Sequence, residues 1–241
     1  LILCVLYTFL NVKEMNPQEY AEFHSIDPKR QAEEEKDNPG LIRLLLHAPK
    51  TFWTVGLVQF FCWAAFMYMW TYSNGAIAAN CWNATDPASE GYQAAGNWVG
   101  VVFAVQAVGS ILLAIVLPKF RSLNLAYVVS LLIGAVGFIS VAFIHNQYLR
   151  CVSYLLIGTA WAAMLALPFT LLTNALDGEH LGSYLGLFNC AICLPQIVAA
   201  ATGGGILKLI GGSQAAMFLV AAVLLLCGAL AVGLIEERKN N

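Results

Sequence analysis

The chain has 241 residues, 59% of them apolar and only 11% charged, with a formal net charge of −2. A soluble domain carries about 25% charged residues and needs them to cover its surface, so this composition excludes a soluble domain, and it excludes a disordered chain as well. A nucleic-acid partner is excluded too, because it requires a basic surface; what remains is a membrane protein with several spanning helices.

Residues 1–11, LILCVLYTFLN, are apolar but too short to span. They lack the basic flank and cleavage site of a signal peptide. They read as the end of a membrane helix belonging to a longer protein, of which this chain is a C-terminal piece. Residues 12–39 are polar, mixed in charge and carry prolines, the composition of a solvated linker between membrane bundles. LIRLLLHAPK at 41–50 is short, apolar and basic, which suits a helix lying at the membrane interface.

A span needs about 20 apolar residues. Six stretches qualify: about 51–79, 92–117, 124–144, 151–176, 181–207 and 214–235. Residues 236–241 form a polar tail. All Lys, Arg, Asp and Glu are expected outside the spans, in loops or at edges, because a charge at the bilayer centre costs a few kcal/mol at least. Counted by alternate loops, ten of the 12 Lys and Arg fall on the side of residues 12–50 and of the C-terminus. The positive-inside rule makes that side cytoplasmic.

Within the spans the polar residues are amides, hydroxyls and indoles. On the first, Gln59, Trp63, Phe66 and Trp70 recur at i, i+4, i+7 and i+11, one helical face. On the second, Phe103, Gln106 and Ser110 share a face. The fourth carries Trp161 and, beyond Pro168, Thr170, Thr173 and Asn174. The fifth aligns Asn189, Cys193 and Gln196. Amides donate to and accept from hydroxyl groups, and aromatic rings pack on the apolar faces of pyranose rings. A neutral polyhydroxylated ligand is the chemistry that fits, with Gln59, Trp63, Gln106, Trp161 and Asn189 as candidate contacts. The competing reading is that Asn and Gln bridge helices and that Trp marks the interfacial belt.

Pro168 and Pro195 lie inside spans, and Gly203, Gly204 and Gly205 lie near the end of one. Each weakens the backbone ladder, so these positions are candidates for helix bending or gating, of the kind that points to transporter binding sites. Gly96-x-x-x-Gly100 and Gly182-x-x-x-Gly186 offer close helix approach. The cysteines in or at spans, among them Cys190-x-x-Cys193, read as small packing residues rather than as a redox or metal pair; Cys81 lies in an outer loop, beside the sequon at Asn83. With no acid inside a span and all four His at edges or in loops, neither a hydrolytic site nor a metal or cofactor site is expected.

Four stretches, VQFFCWAAFMYMWTYSNGAIA (58–78), YQAAGNWVGVVFAVQ (92–106), GTAWAAMLALPFTLL (158–172) and GSYLGLFNCAICLPQI (182–197), resemble the sucrose/maltose-type sugar transporters. These are a branch of the major facilitator superfamily close to the glycoside–pentoside–hexuronide:cation symporters. The Trp161…Pro168 pair and the run from Gly182 to Asn189, ending in Pro195-Gln196, carry most of the resemblance. The CAICL segment and the glycine-free turn LPKFRSLN at 117–124 depart from the family pattern. The resemblance implies the C-terminal six-helix half of a 12-helix major facilitator fold, preceded by the end of helix six and the central cytoplasmic loop. It also implies proton-coupled import of an α-glucoside such as maltose or sucrose across a cytoplasmic membrane. The proton-carrying carboxylate would belong to the missing N-terminal half. A sugar sensor or facilitator of the same fold, without ion coupling, is the alternative.

Overall fold

A computed structural model describes Tyr7 and residues 40–176 and 181–235. The expected helix end at 1–11 (Tyr7 apart), the linker 12–39 and the tail 236–241 lie outside the described residues. The chain divides into two units, 1–46 and 47–241. In the first, α1 spans Leu41–Leu46. The interfacial helix expected over 41–50 therefore stops early. Pro49 is extended (φ −62°, ψ 155°) and serves as the N-cap of the next helix, and proline disfavours helical geometry in the residue before it.

The second unit is helical throughout its described residues: α2 Lys50–Trp82, α3 Glu90–Val116, α4 Leu123–Phe143, α5 Gln147–Ala175, α6 Leu181–Phe188, α7 Cys190–Leu209 and α8 Met217–Val232, with a short 3-10 turn at Leu117–Lys119. Side-chain capping explains three of the starts, those of α3, α4 and α5. Ser89 Oγ accepts from Tyr92 N at 3.3 Å, and Ser122 Oγ accepts from Leu125 N at 3.2 Å. Asn146 Oδ1 accepts from Tyr148 N at 2.9 Å and from Leu149 N at 3.2 Å. Each satisfies amides that a helix start leaves free. At the far end of α2, Asn83 takes the left-handed conformation (φ 48°) that asparagine tolerates.

Among the described residues, five rods are long and apolar enough to cross a membrane: α2, α3 with its 3-10 turn, α4, α5, and α6 joined to α7. Six were expected. The sixth, α8, is apolar but has 16 residues, about 24 Å of helix against a hydrocarbon core of about 30 Å. Gly211 and Gly212 adopt positive φ (85° and 79°), and residues 213–216 are spent in turns before α8 begins. The fifth expected span is broken at Asn189, where Asn189 N reaches back to Gly186 O at 3.2 Å. α5 begins a turn earlier than expected, which draws Arg150 inside a helix.

α2 is the central rod and packs against α3, α5, α7 and α8; α5 packs against α3 and α4, and α4 against α8. The core lies along these seams and includes Val55, Val58, Cys62, Phe66 and Met69 of α2, Phe138 of α4, Ile157 of α5 and Phe218 of α8. α3 and α7 are the least covered, and both present rows of exposed aliphatic residues, Val101, Val108, Ile111 and Ile115 on one and Leu194, Ile197 and Val198 on the other. Apolar exposure of this extent suits contact with lipid or a further membrane domain.

The closest helix approach is not at the glycine pairs expected to provide it. Nothing would stand within 4 Å of a Cβ on Gly100, Gly182 or Gly186. Instead, a Cβ on Gly109 would collide with Leu155 O, and one on Gly158 with Gln106 O. These two glycines, facing each other's helices, bring the α3 and α5 backbones into contact. Ser110 Oγ adds a hydrogen bond to Gly158 O at 2.9 Å.

Candidate ligand site between α2 and α5

Two turns of α5, from Gly158 to Met164, collect four of the five residues singled out as ligand contacts. Trp161 is the hub. Its ring centroid lies 5.7 Å from that of Trp63, 5.1 Å from Phe66 and 5.5 Å from Trp70. The three partners are the aromatic face of α2, and Phe138 of α4 closes the cluster behind Phe66 at 5.6 Å. One turn further along α5, Met164 O accepts Gln59 Nε2 at 2.7 Å. One turn in the other direction, Gly158 seats Gln106, a buried α3 residue whose carbonyl also accepts Ser110 Oγ at 3.2 Å.

The cluster is graded in exposure. Gln59 is buried at 1% and Trp70 is 37% exposed, with Trp63 and Trp161 between them. Gln59 ties three helices together, because its Nε2 also donates to Tyr127 Oη of α4 at 3.3 Å. Its Oε1 is buried with no hydrogen-bond partner, and so is Trp63 Nε1. The Met164 bond fixes which end of the amide is the donor. An acceptor and a donor thus stand unsatisfied on one face of α2, one turn apart, and the indole that carries the donor packs on Trp161. Buried polar groups are normally paired, and a hydroxyl is the group that accepts from an N–H and donates to a carbonyl at once.

Asn189 is not part of this arrangement. It is exposed, sits at the α6–α7 break and donates from Nδ2 to Leu185 O at 3.4 Å. Pro168 and Pro195 are buried, and α5 and α7 continue through them. α7 also continues through Gly203, Gly204 and Gly205. Gly203 lies against the rings of Tyr68 and Tyr72, whereas Gly204 and Gly205 would admit a Cβ with nothing within 4 Å. Cys190 and Cys193, expected to pack in the interior, are exposed in the first turn of α7, while Cys62 is buried.

Several polar contacts escaped the sequence reading. Tyr154 Oη and Ser73 Oγ are 2.8 Å apart and join α5 to α2. Tyr68 Oη and Thr202 Oγ1 are 3.1 Å apart and join α2 to α7. Tyr127 and Tyr154 each fall near the start of a span, where tyrosine reads as an interfacial residue. Only the packing of neighbouring helices over them reveals that both are fully buried. In comparison with known proteins, the chain matches no protein-family model and no curated sequence.

Proposed function

We propose that this chain is a six-helix half of an alternating-access membrane transporter that carries a neutral sugar, an α-glucoside such as maltose or sucrose, in symport with protons. The observation that carries the reading is the α2–α5 cluster: three tryptophans in ring contact, with a buried carbonyl acceptor and a buried indole donor left for a hydroxyl-bearing ligand. Trp161 and Trp63 supply apolar ring surface, and Gln59 supplies the acceptor. Gln106 lies on α3, in the neighbouring α3–α5 seam against Gly158, and Asn189 would act from the α6–α7 break only if that segment closes over the ligand.

The packing pattern supports transport rather than a static scaffold. Exchanging α2 with α5, α3 with α6–α7 and α4 with α8 maps the α4–α5 seam onto α8–α2 and the α3–α5 seam onto α7–α2, and it leaves the α2–α5 and α4–α8 seams in place. Two successive triplets of helices paired in this way would make an inverted repeat, and transporters place substrate at such repeat interfaces. The α2–α5 cluster lies on one of the two seams that the exchange leaves in place. No Asp or Glu lies in the middle of a described span, so protons would be carried by a carboxylate of the other half.

Uptake of labelled maltose or sucrose by vesicles carrying the full-length protein tests the reading. Trp161→Ala should raise the half-saturating sugar concentration at least about tenfold, equivalent to about 1.4 kcal/mol. Saturable, proton-dependent uptake that is indifferent to Trp161→Ala and to Gln59→Leu would remove the cluster from the site. Sugar binding without flux would replace transporter by sensor.

A further inference from the structure

Arg150 lies in the first turn of α5. An arginine at the end of a membrane span ordinarily snorkels, stretching its head to the headgroup layer. This one turns inward and is 0% exposed. Its guanidinium donates from Nη2 to Ile144 O, at the end of α4. Nε and Nη1 are buried with no hydrogen-bond partner. Its ionisable neighbours among the described residues are the Cys81 thiol of α2 and the Tyr154 phenol, one turn along α5, both uncharged at neutral pH. Arginine does not give up its proton in proteins, and a desolvated charge without a counter-charge is strongly unfavourable.

We infer that the start of α5 is a site for a monovalent anion, with the Nε and Nη1 groups of Arg150 as its donors. Trp98 Nε1 donates to Gln147 O at 3.2 Å and packs on Tyr148 at 5.5 Å, so α3 shields this end of the helix. The side chain is turned away from the surface, which keeps lipid phosphates from it. Two sources share the required chemistry. One is a halide from solution. The other is a carboxylate of the segment between α2 and α3, where Asp86 and Glu90 are both exposed and Asp86 follows Cys81 by five residues. Either neutralises a charge that lipid cannot reach.

The test is thermal unfolding of the purified full-length protein in a non-ionic detergent. Sodium chloride is compared with sodium gluconate, a much larger anion, at equal ionic strength. If the anion is a halide, chloride at about 100-fold its dissociation constant should raise the wild-type midpoint by about 3 °C or more, and Arg150→Met should abolish the shift. If it is a carboxylate, chloride should have no specific effect. Asp86→Asn or Glu90→Gln should then lower the wild-type midpoint and leave that of Arg150→Met unchanged. Arg150→Gln, which keeps a donor toward Ile144 O and loses the charge, serves the same comparisons if Arg150→Met does not fold. A wild type that ignores chloride, together with carboxylate substitutions whose effects are the same with and without Arg150, would overturn the inference.

Discussion

Gln59 does two things that can be separated. Its Nε2 joins α2 to α4 and α5, while its Oε1 remains free beside Trp63. Gln59→Leu keeps the volume and removes both functions. The lost hydrogen bonds should cost about 1–2 kcal/mol of stability, read from unfolding, and sugar affinity should fall by a separate factor, read by calorimetry. A variant that loses stability and keeps affinity would make Gln59 a tie between helices and nothing more. The cysteines supply a second residue-scale prediction. N-ethylmaleimide should modify Cys190 and Cys193, which are exposed, and leave the buried Cys62 untouched in the folded protein, as peptide mass spectrometry would show. The sequence made the first pair legible as a motif but not as a surface, because a turn of α7 facing outward has the same composition as one facing in.

At the scale of the helix, periodicity did most of the work that the sequence allowed. The spacing of Gln59, Trp63, Phe66 and Trp70 defined a face of α2, and that face is the one that meets Trp161 and Met164. Phe103, Gln106 and Ser110 likewise meet α5, at Tyr154 and Gly158. Boundaries were harder to read. Asn146 caps α5 ahead of its apolar run, so Arg150 fell on the wrong side of the expected border, and its burial was hidden. The glycines show the same limit. Small residues in a span announce that helices can approach, but which of them do so depends on the partner's register. Gly158→Val should therefore be costly, by about 3 kcal/mol, because its side chain would meet Gln106 O. Gly182→Ala, whose Cβ would meet nothing within 4 Å, should have little effect on the unfolding midpoint.

Across the whole molecule, protection is uneven. The most apolar stretch of α2 is 61% buried and that of the α6–α7 rod is 17% buried. Local opening follows burial, so in detergent the amides of α7 should exchange with deuterium well before those of the central part of α2. Equal protection factors would mean that a further domain covers α7. The sequence announced a membrane protein through composition and gave the number of rods to within one. The late start of α8 follows two left-handed glycines and the turn at 214–216, whose conformation composition cannot convey.

The two triplets are alike in plan but not in posture. α2 is packed on α3, whereas no comparable seam joins α5 to α7. If the triplets traded postures, α3 would swing away from α2 while α7 swung in on α5, with the shared α4–α8 seam serving as the axle. Spin labels placed on those two helix pairs should therefore show one distance lengthening as the other shrinks. The unequal pairing of α2–α3 and α5–α7 is what makes that opposed change in distance a test of the proposed transport cycle.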